Sequence, residues 1–467
     1  HTYHADEPTK VEAVRKGRPN FRHPALLVQA ARVPVAVLGL GDDPQGITRA
    51  GRFVSAVAGA MLAGLAYVLA RQASAGRGWA ALAGLAVATS PIVVVHAHYF
   101  KEDVVFAAMT FLALACLGPF VRKPDDPRVW ALGIATGLAL SSKYAAAVLL
   151  PVYAVVLLVN RPRGARAALF GRLGWALLIA LGVFLLINYP ALLRIKRFWA
   201  GLAYETVHAV TGHGSVSVGP LEYWLGFHLR FSLIDGMTLA VAFVGVASLL
   251  VLATRFRALS PSIQGLVLFT VIYYLATELS PMKTFPAYVR YMVPVAAALI
   301  VCACVAADRS ARAWRPAVFV IAPGLVAAFA WAALDAGRLV YHLDRDTRAT
   351  ARQWVLDRGL NVKGDHYSGV DWRAWSLPRL DPATERATGV DAFVGSSFMY
   401  DRVYFAMRLS DLGEEVRGTH AQYEKLFRLP YVEFRPAYRT FAFSNPVIRV
   451  IDLRAPVPSS DPAPAAR

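Results

Sequence analysis

Charged residues are scarce in this chain. Only 17% of its 467 residues are Asp, Glu, Lys or Arg, whereas soluble proteins usually have about 25%. Cysteine is also rare, and Cys116, Cys302 and Cys304 all lie in apolar segments, which excludes a disulfide framework and a cysteine-based zinc site. The glycine-rich phosphate-binding sequence that ends in Gly-Lys-Ser/Thr is missing, so no nucleotide site of that kind is expected.

Acidic residues are outnumbered, and the formal net charge is +18. The surplus of basic residues is unevenly distributed along the chain. From Leu343 onward there are 18 basic and 16 acidic residues, so most of the surplus lies before Leu343. The remaining basic residues cluster in short loops between apolar segments. Nucleic-acid binding would need a contiguous basic face on a soluble domain, so a nucleic-acid partner is excluded.

Hydrophobic residues make up 56% of the chain, and they stand in blocks of roughly 16 to 22 residues. That length crosses a hydrocarbon core of about 30 Å. We therefore expect about ten membrane-spanning helices and the bilayer as a partner. The predicted spans are 53–70, 79–97, 103–120, 129–142, 144–160, 172–189, 236–253, 263–279, 291–306 and 316–335.

Basic residues alternate between the two sets of loops. Five short loops carry 14 of them, around Arg71, Arg122, Arg163, Arg255 and Arg312. The opposite short loops hold only isolated ones. Because basic loops stay in the cytoplasm, we expect the N-terminal loop, the long 190–235 loop and the C-terminal region to face outward.

The pattern divides the chain into four parts: an outward loop at 1–49, a transmembrane domain at 50–338, an outward α/β domain at 339–455 and a disordered tail at 456–467. A helical pattern through Trp354 and β-like runs at Ala392–Gly395 and Val447–Leu453 indicate the α/β domain. Because His1 begins in an outward loop, we expect a further helix before it.

Two acidic pairs stand in outward loops, Asp6-Glu7 and Glu102-Asp103. A carboxylate there can accept a proton from an acceptor hydroxyl or help to hold a divalent cation such as Mg or Mn. Solvated loop residues or helix N-termini explain the same pairs without chemistry. Ionisable groups at membrane depth are costly, which favours function.

Basic residues at the outer boundary are few, and Lys143 and Arg290, followed by Tyr291, are among them. Both side chains suit a phosphate, although each could instead extend to lipid headgroups. The 190–235 loop adds candidate sugar- or acceptor-binding residues, which could equally be turn or solvated residues. This weaker set comprises Glu205, His208 and His213, together with His98 and Glu102 of the earlier loop. His4, His96 and His98 flank the acidic pairs and could complete a metal site with them.

Several short motifs, in this order, resemble the GT-C superfamily of membrane glycosyltransferases. They are the first acidic pair, His23-Pro24, ITRAGRFVSAVAG, GIATGLALSSKYAAAVLLP and RYMVP. The later segments DRDTRATARQWV and FSNPVIRVIDL resemble bacterial relatives of protein O-mannosyltransferases and aminoarabinose transferases. This resemblance implies a polytopic α-helical fold with a small outward α/β domain.

The resemblance also implies an activity, transfer of a hexose or pentose from a polyprenyl-phosphate donor to a hydroxyl of a glycan, lipid or protein. Asp6 matches the catalytic base with Glu7 beside it, and Asp103 matches the second acid, which supports the acceptor or a metal ion at Asp6 and Asp103. Lys143 and Arg290 would contact the lipid phosphate. The implied location is the bacterial inner membrane, with the C-terminal domain outside.

Three alternatives remain at the level of sequence. A transporter would place ionisable residues within its spans and show internal repeats, whereas the charges here lie at outward boundaries. A non-catalytic member of the same fold is the second alternative. A transferase that uses a pyrophosphate-linked donor is the third, and a metal requirement would favour it.

Overall fold

The computed structural model describes residues 4, 6–17, 21–160, 166–212, 218–219, 221–283, 287–343, 345–365, 367–369, 382–409 and 413–455. Within these ranges most of the chain is helical. The N-terminal loop contains two helices, α1 (Glu7–Lys16) and α2 (Leu26–Val37). Pro8 stands in the first turn of α1 and Gly17 ends it in the left-handed conformation, as expected for a short helix with both termini specified.

All ten predicted spans lie in helical segments. Single helices form the spans α3 (Pro44–Gln72), α6 (Glu102–Arg122), α9 (Arg166–Ile187), α14 (Pro261–Leu279), α15 (Val293–Ala313) and α16 (Val318–Leu343). Helices α4 (Arg77–Ala88) and α5 (Pro91–Ala97) form one pair bent by 52°. The second pair, bent by 112°, joins Leu229–Met237, which includes α12 (Ile234–Met237), to α13 (Leu239–Thr254).

Six described helices are therefore long and apolar enough to cross a membrane, or eight segments if each bent pair counts as one. The other two predicted spans are short. Helix α7 (Asp126–Ser142) has 17 residues, and α8 (Leu149–Asn160) continues a 3-10 turn at Tyr144–Val148. The prediction of a multi-pass helical membrane protein is confirmed.

Glycines allow α7 and α9 to pack closely. A Cβ at Gly133 would lie 2.6 Å from the Ala176 carbonyl oxygen, and one at Gly137 would lie 2.6 Å from the Val183 Cβ. Small residues four apart on one face let helix backbones approach, which is the usual packing of helices in a bilayer. This contact places the C-terminal end of α7, and with it Lys143, at a fixed position.

The long 190–235 loop, predicted to face outward, is largely helical in its described part. It contains α10 (Tyr189–Leu193) and α11 (Ile195–Thr211), whose apolar residues lie on one side. His213 lies outside the described residues, and His208 is in α11, where its side chain is outside them too. Glu205 is half-buried on the same helix.

The C-terminal domain is a small α/β unit, as predicted. Its sheet has the order β1-β2-β4-β3, with β1 parallel to β2 and the other pairs antiparallel. One face packs on Ala351 and Val355, and the other on a separate aromatic cluster that includes Tyr423. In chain order the elements are α17 (Thr347–Asp357), β1 (Val362–Gly364), α18 (Pro382–Ala387), β2 (Ala392–Ser396), α19 (Ser397–Ala406), α20 (Glu414–Phe427), β3 (Tyr431–Phe434) and β4 (Ile448–Asp452).

Between β3 and β4, residues 438–445 leave the sheet and contact the membrane helices; we call them the docking segment. Arg439 and Tyr438 both bind the carboxylate of Asp335 on α16. Phe441 and Ala442 join the hydrophobic core of the membrane domain. The α/β domain is therefore attached to one end of the helical bundle.

Candidate active site

Asp6 and Asp103 come together at one end of the helical bundle. Asp6 Oδ2 lies 3.6 Å from Nη1 of Arg290, and Asp103 Oδ2 lies 3.8 Å from Nε of the same guanidinium. Lys143 Nζ donates to Asp103 Oδ1 at 2.8 Å. Four residues from four separate segments thus converge on one place, as the sequence predicted.

Asp6 is the accessible carboxylate of the first acidic pair, with 43% of its side chain exposed. It precedes α1, and its Oδ2 accepts a hydrogen bond from Lys101 Nζ at 2.6 Å. Partial burial would raise the pKa of Asp6, but the Lys101 and Arg290 cations outweigh that effect and hold it well below its usual range. Asp6 is therefore an anion at neutral pH.

Glu7 has a different environment, because it is fully buried. Its carboxylate accepts hydrogen bonds from Arg52 Nε and Nη2 at 2.8 and 2.7 Å. The backbone N–H groups of His4 and Phe100 also donate to it, at 2.7 and 2.9 Å. These bonds tie the first outward loop to α3 and to the loop before α6, so they fix the position of Asp6.

The second acidic pair divides in the same way. Glu102 is buried and its carboxylate binds Lys10, His23 Nε2 at 3.1 Å and Lys101 Nζ at 3.2 Å. Asp103 is also buried, yet its Oδ2 has no hydrogen-bond donor among the described residues. Glu102 thus connects α1 and α6, while Asp103 pairs with Lys143 and Arg290.

Aromatic rings surround the two basic residues. Lys143 Nζ lies 4.1 Å from the centre of the Tyr291 ring, and the Arg290 guanidinium lies 5.5 Å from it. Arg290 also lies 5.4 Å from the Phe443 ring of the docking segment. Rings at these distances favour the cations electrostatically, so they hold the positive charge near the two aspartates.

The histidines are distributed unevenly around the site. His4 is buried and packs on Phe443 at 4.2 Å between ring centres. The Asp6 backbone N–H donates to His4 Nδ1, and burial holds the pKa of His4 well below its usual value, so the ring is neutral. His98 is exposed and its Nδ1 forms a hydrogen bond with the Val94 carbonyl oxygen. Among the described contacts, none joins His98 to Asp6 or Asp103.

Glu205 approaches the site from α11. Its charge acts on Tyr144 and Tyr291, and Lys143 acts on Glu205 in turn. Burial raises the pKa of Glu205, against the opposing effect of Lys143. The 190–235 loop therefore brings a half-buried carboxylate to the Lys143 side of the site.

Sequence reasoning missed several residues that build this site. Lys101 bridges the two acidic pairs, and Arg52 neutralises Glu7. Phe443 lies 153 residues after Arg290 in the sequence, so no local pattern could connect them. Arg52 lies within the ITRAGRFVSAVAG motif, which indicated that Arg52 is important but did not identify Glu7 as its partner.

The carboxylates fit a divalent cation poorly. Each of Asp6, Glu7, Glu102 and Asp103 already contacts a cationic side chain. Among the described residues no group of three or more His, Cys, Asp or Glu side chains could hold a metal. Divalent cations such as Mg need several oxygen ligands, whereas lysine and arginine supply the positive charge here.

Comparisons with known proteins agree with the fold. Residues 46–193 match the family model described as dolichyl-phosphate-mannose-protein mannosyltransferase. ArnT from Cupriavidus metallidurans bound to undecaprenyl phosphate is 22% identical, with a TM-score of 0.54 over 77% of this chain and 69% of that one. Its apo form is 20% identical, with a TM-score of 0.51 over 96% and 94%.

An oligosaccharyltransferase from Archaeoglobus fulgidus, in complex with Zn and sulfate, is 12% identical, with a TM-score of 0.49 over 93% and 68% of the two chains. A comparison with curated protein sequences gives no match. The two ArnT structures confirm that the chain has a GT-C-like fold. The family match agrees with the glycosyltransferase class that the sequence predicted.

Proposed function

We propose that the chain transfers a sugar from a polyprenyl-phosphate-linked donor to a hydroxyl of a glycan, lipid or protein, on the outer face of a bacterial inner membrane. The observation that carries the proposal is the convergence of Asp6, Asp103, Lys143 and Arg290. The family match and the undecaprenyl phosphate bound by ArnT support the donor class.

Lys143 and Arg290 are the proposed phosphate ligands. Both are largely buried, with 12% and 13% of their side chains exposed. Their charges count for more in such a setting than in water. As the bond between the sugar and the phosphate oxygen breaks, negative charge grows on the phosphate, and the two cations stabilise it as the leaving group.

Asp6 is the proposed base. The acceptor hydroxyl attacks the anomeric carbon, its proton passes to Asp6 and polyprenyl phosphate is released. The low pKa of Asp6 keeps it ionised at neutral pH. Asp103 orients Lys143 and Arg290 through its two carboxylate oxygens, while Glu7 and Glu102 act through the loops that they anchor and do not contact substrate. No step uses a metal ion.

The lipid chain needs no extraction from the bilayer in this scheme. Its apolar length can remain among the membrane helices, where burial is favourable, while only the phosphate and the sugar reach the polar site. This arrangement also explains why the reactive residues stand at the outward ends of spans.

The test is the Asp6→Asn variant, assayed in lipid nanodiscs with undecaprenyl-phosphate-linked hexoses as donors. Loss of general base catalysis should lower the transfer rate by about 10²- to 10⁴-fold. Asp42→Asn is the matched control, because Asp42 is an exposed residue of the same outward loop. Unchanged transfer by Asp6→Asn would exclude the catalytic role and favour a non-catalytic member of the fold.

A further inference from the structure

Helix α11 has two faces with different surroundings. Phe198, Gly201, Leu202 and Glu205 lie on the face toward the protein, where they are buried or half-buried. The opposite face carries apolar residues at helical spacing, and each of its large residues is 47% to 69% exposed. A contiguous apolar surface of this kind marks contact with a membrane or a protein. This exposed stripe comprises Ile195, Trp199, Ala203, Val207 and Val210.

The exposed stripe continues the surface of a membrane span. Helix α9, which is long and apolar enough to cross a membrane, ends at Ile187. Helices α10 and α11 follow it with one residue before each. Leu186 on α9 and Leu192 and Leu193 on α10 are exposed, so apolar surface extends along the chain from the span to Ile195. A helix that keeps this surface beside a span fits the boundary between headgroups and acyl chains.

Basic residues cluster at the start of α11. Arg194, Lys196 and Arg197 stand within four positions, and Lys196 and Arg197 are exposed. No Asp or Glu in the described part of the chain forms a salt bridge with any of the three. Basic clusters beside a span attract anionic lipid headgroups. Loops predicted to face outward hold few basic residues, so the charge pattern that sets topology does not account for this cluster.

The buried face of α11 connects it to the candidate active site. A Cβ at Gly201 would lie 2.8 Å from the Phe21 carbonyl carbon, so the helix packs directly on that backbone. Two residues later, His23 Nε2 lies 3.1 Å from Glu102 Oε1. Helix α11 is therefore held at the end of the bundle where the acidic pairs meet.

We propose that α11 is an interfacial helix that binds anionic phospholipids such as phosphatidylglycerol. The exposed stripe lies among the acyl chains, and Arg194, Lys196 and Arg197 bind the lipid phosphates. A zwitterionic lipid carries its own cation beside the phosphate, so it competes less well for the cluster. The membrane surface thereby fixes the depth of α11, and with it the depth of Phe21 and Glu205 beside the site.

The first experiment measures whether the exposed stripe lies in lipid. Ala203→Cys places a thiol in the middle of the stripe without removing a large side chain, in a chain whose Cys116 is replaced by Ser; Cys302 and Cys304 are buried. The thiol carries an environment-sensitive fluorophore, and the nanodiscs contain phosphatidylcholine that is spin-labelled on an acyl chain. We expect strong quenching at Ala203→Cys and weak quenching at Glu414→Cys, the control on the exposed start of α20.

The second experiment tests the basic cluster with the same label. Phosphatidylglycerol and phosphatidylcholine are present in equal amounts, and only one of them is spin-labelled at a time. Phosphatidylglycerol should be enriched about threefold to fivefold next to Ala203→Cys, a factor that one basic residue near an anionic headgroup can supply. Replacing Arg194, Lys196 and Arg197 together by Gln should make quenching by the two lipids equal.

The matched control replaces three exposed basic residues of the α/β domain by Gln, and it should keep the preference for phosphatidylglycerol. These residues are Arg417, Lys425 and Arg428.

Each measurement has an outcome that overturns the proposal. Quenching at Ala203→Cys no stronger than at Glu414→Cys would place the stripe outside the lipid and favour a protein partner. Equal quenching by the two lipids without the Gln substitutions would exclude the anionic preference, whether or not the triple variant folds. A preference that survives the triple substitution would exclude the basic cluster as its cause. No sugar donor takes part, so these outcomes are independent of the proposed function.

Discussion

At the scale of single residues, each acidic pair combines one anchored carboxylate with one that the proposed function places at the substrate. Glu7 is saturated by four hydrogen bonds, while its neighbour Asp6 remains accessible. Glu102 is bound by three cationic or neutral donors, while its neighbour Asp103 keeps one oxygen without a donor among the described residues. In both loops, the anchored acid therefore fixes the position of the carboxylate next to it.

The first prediction concerns the anchoring residue Arg52. Replacing it by Met leaves the Glu7 carboxylate buried without its charged partner, which costs about 3–5 kcal/mol. We expect a large drop in the melting temperature of Arg52→Met in nanodiscs. Arg49→Met is the control, because Arg49 is exposed on the same helix. An equal melting temperature for Arg52→Met and wild type would contradict the anchoring role.

The second prediction uses the low pKa of Asp6. In the wild-type protein this carboxylate stays ionised as the pH falls from 7 to 5, so Asp6 contributes no acid limb to the rate. Lys101→Met removes the largest effect that lowers the pKa of Asp6. The pKa should rise, and transfer by this variant should fall steeply on acidification. A pH profile with the same shape as the wild type would show that Lys101 does not control the base.

At the scale of elements, the Gly-rich segment before Lys143 has a structural explanation. Gly133 and Gly137 lie against the backbone and side chains of α9, where a Cβ would come within 2.6 Å of neighbouring atoms. Helix α7 is short, and its close contact with the longer helix α9 holds it in position.

The third prediction tests that contact. Gly137→Val should destabilise the protein by about 1–3 kcal/mol or more, since overpacking forces the two helices apart. It should also reduce transfer, because Lys143 moves with α7. Gly182→Ala on α9 is the control, as a Cβ there meets nothing within 4 Å. The measurement is thermal unfolding of the two variants under the same conditions. Equal destabilisation by Gly137→Val and Gly182→Ala would contradict the packing role.

The fourth prediction concerns the docking segment. Asp335→Asn weakens the attachment of Arg439 and Tyr438 to α16, and should loosen the contacts of Phe443 with His4 and Arg290. We expect a severalfold loss of kcat/KM for transfer, with faster proteolysis between β3 and β4. Asp357→Asn, in the exposed end of α17, should change neither. If the docking segment of Asp335→Asn is cleaved faster but transfer is normal, the segment is not needed for the site.

The positions of the helices were largely predictable from sequence, while the contacts between segments were not. Apolar runs and loop charges located all ten helical segments, because hydrophobic length is a local property. The bends after Ala88 and Met237 were not expected, since they depend on how α5 and α12 pack. Asp6, Asp103, Lys143 and Arg290 were predicted together from sidedness and resemblance. Lys101, Arg52 and Phe443 were not assigned to the site, because their roles arise from contacts between distant segments.

At the scale of the whole molecule, every segment that builds the site belongs to a loop or helix end predicted to face outward. Asp6, Lys101, Lys143, Arg290 and the docking segment all lie at one end of the helical bundle. The basic loops lie at the other ends of the same helices. We therefore expect the charge asymmetry of the loops to decide on which side of the membrane the site lies.

The last prediction tests that orientation in intact cells. Glu414→Cys places a thiol on the exposed start of α20, and Ala258→Cys places one in a basic loop after α13. The native Cys302 and Cys304 are buried in α15, and Cys116, which is half-buried in α6, is replaced by Ser. A membrane-impermeant maleimide should label Glu414→Cys in intact spheroplasts and Ala258→Cys only after permeabilisation. The reverse pattern would put the site in the cytoplasm, where a donor displayed on the outer face could not reach it.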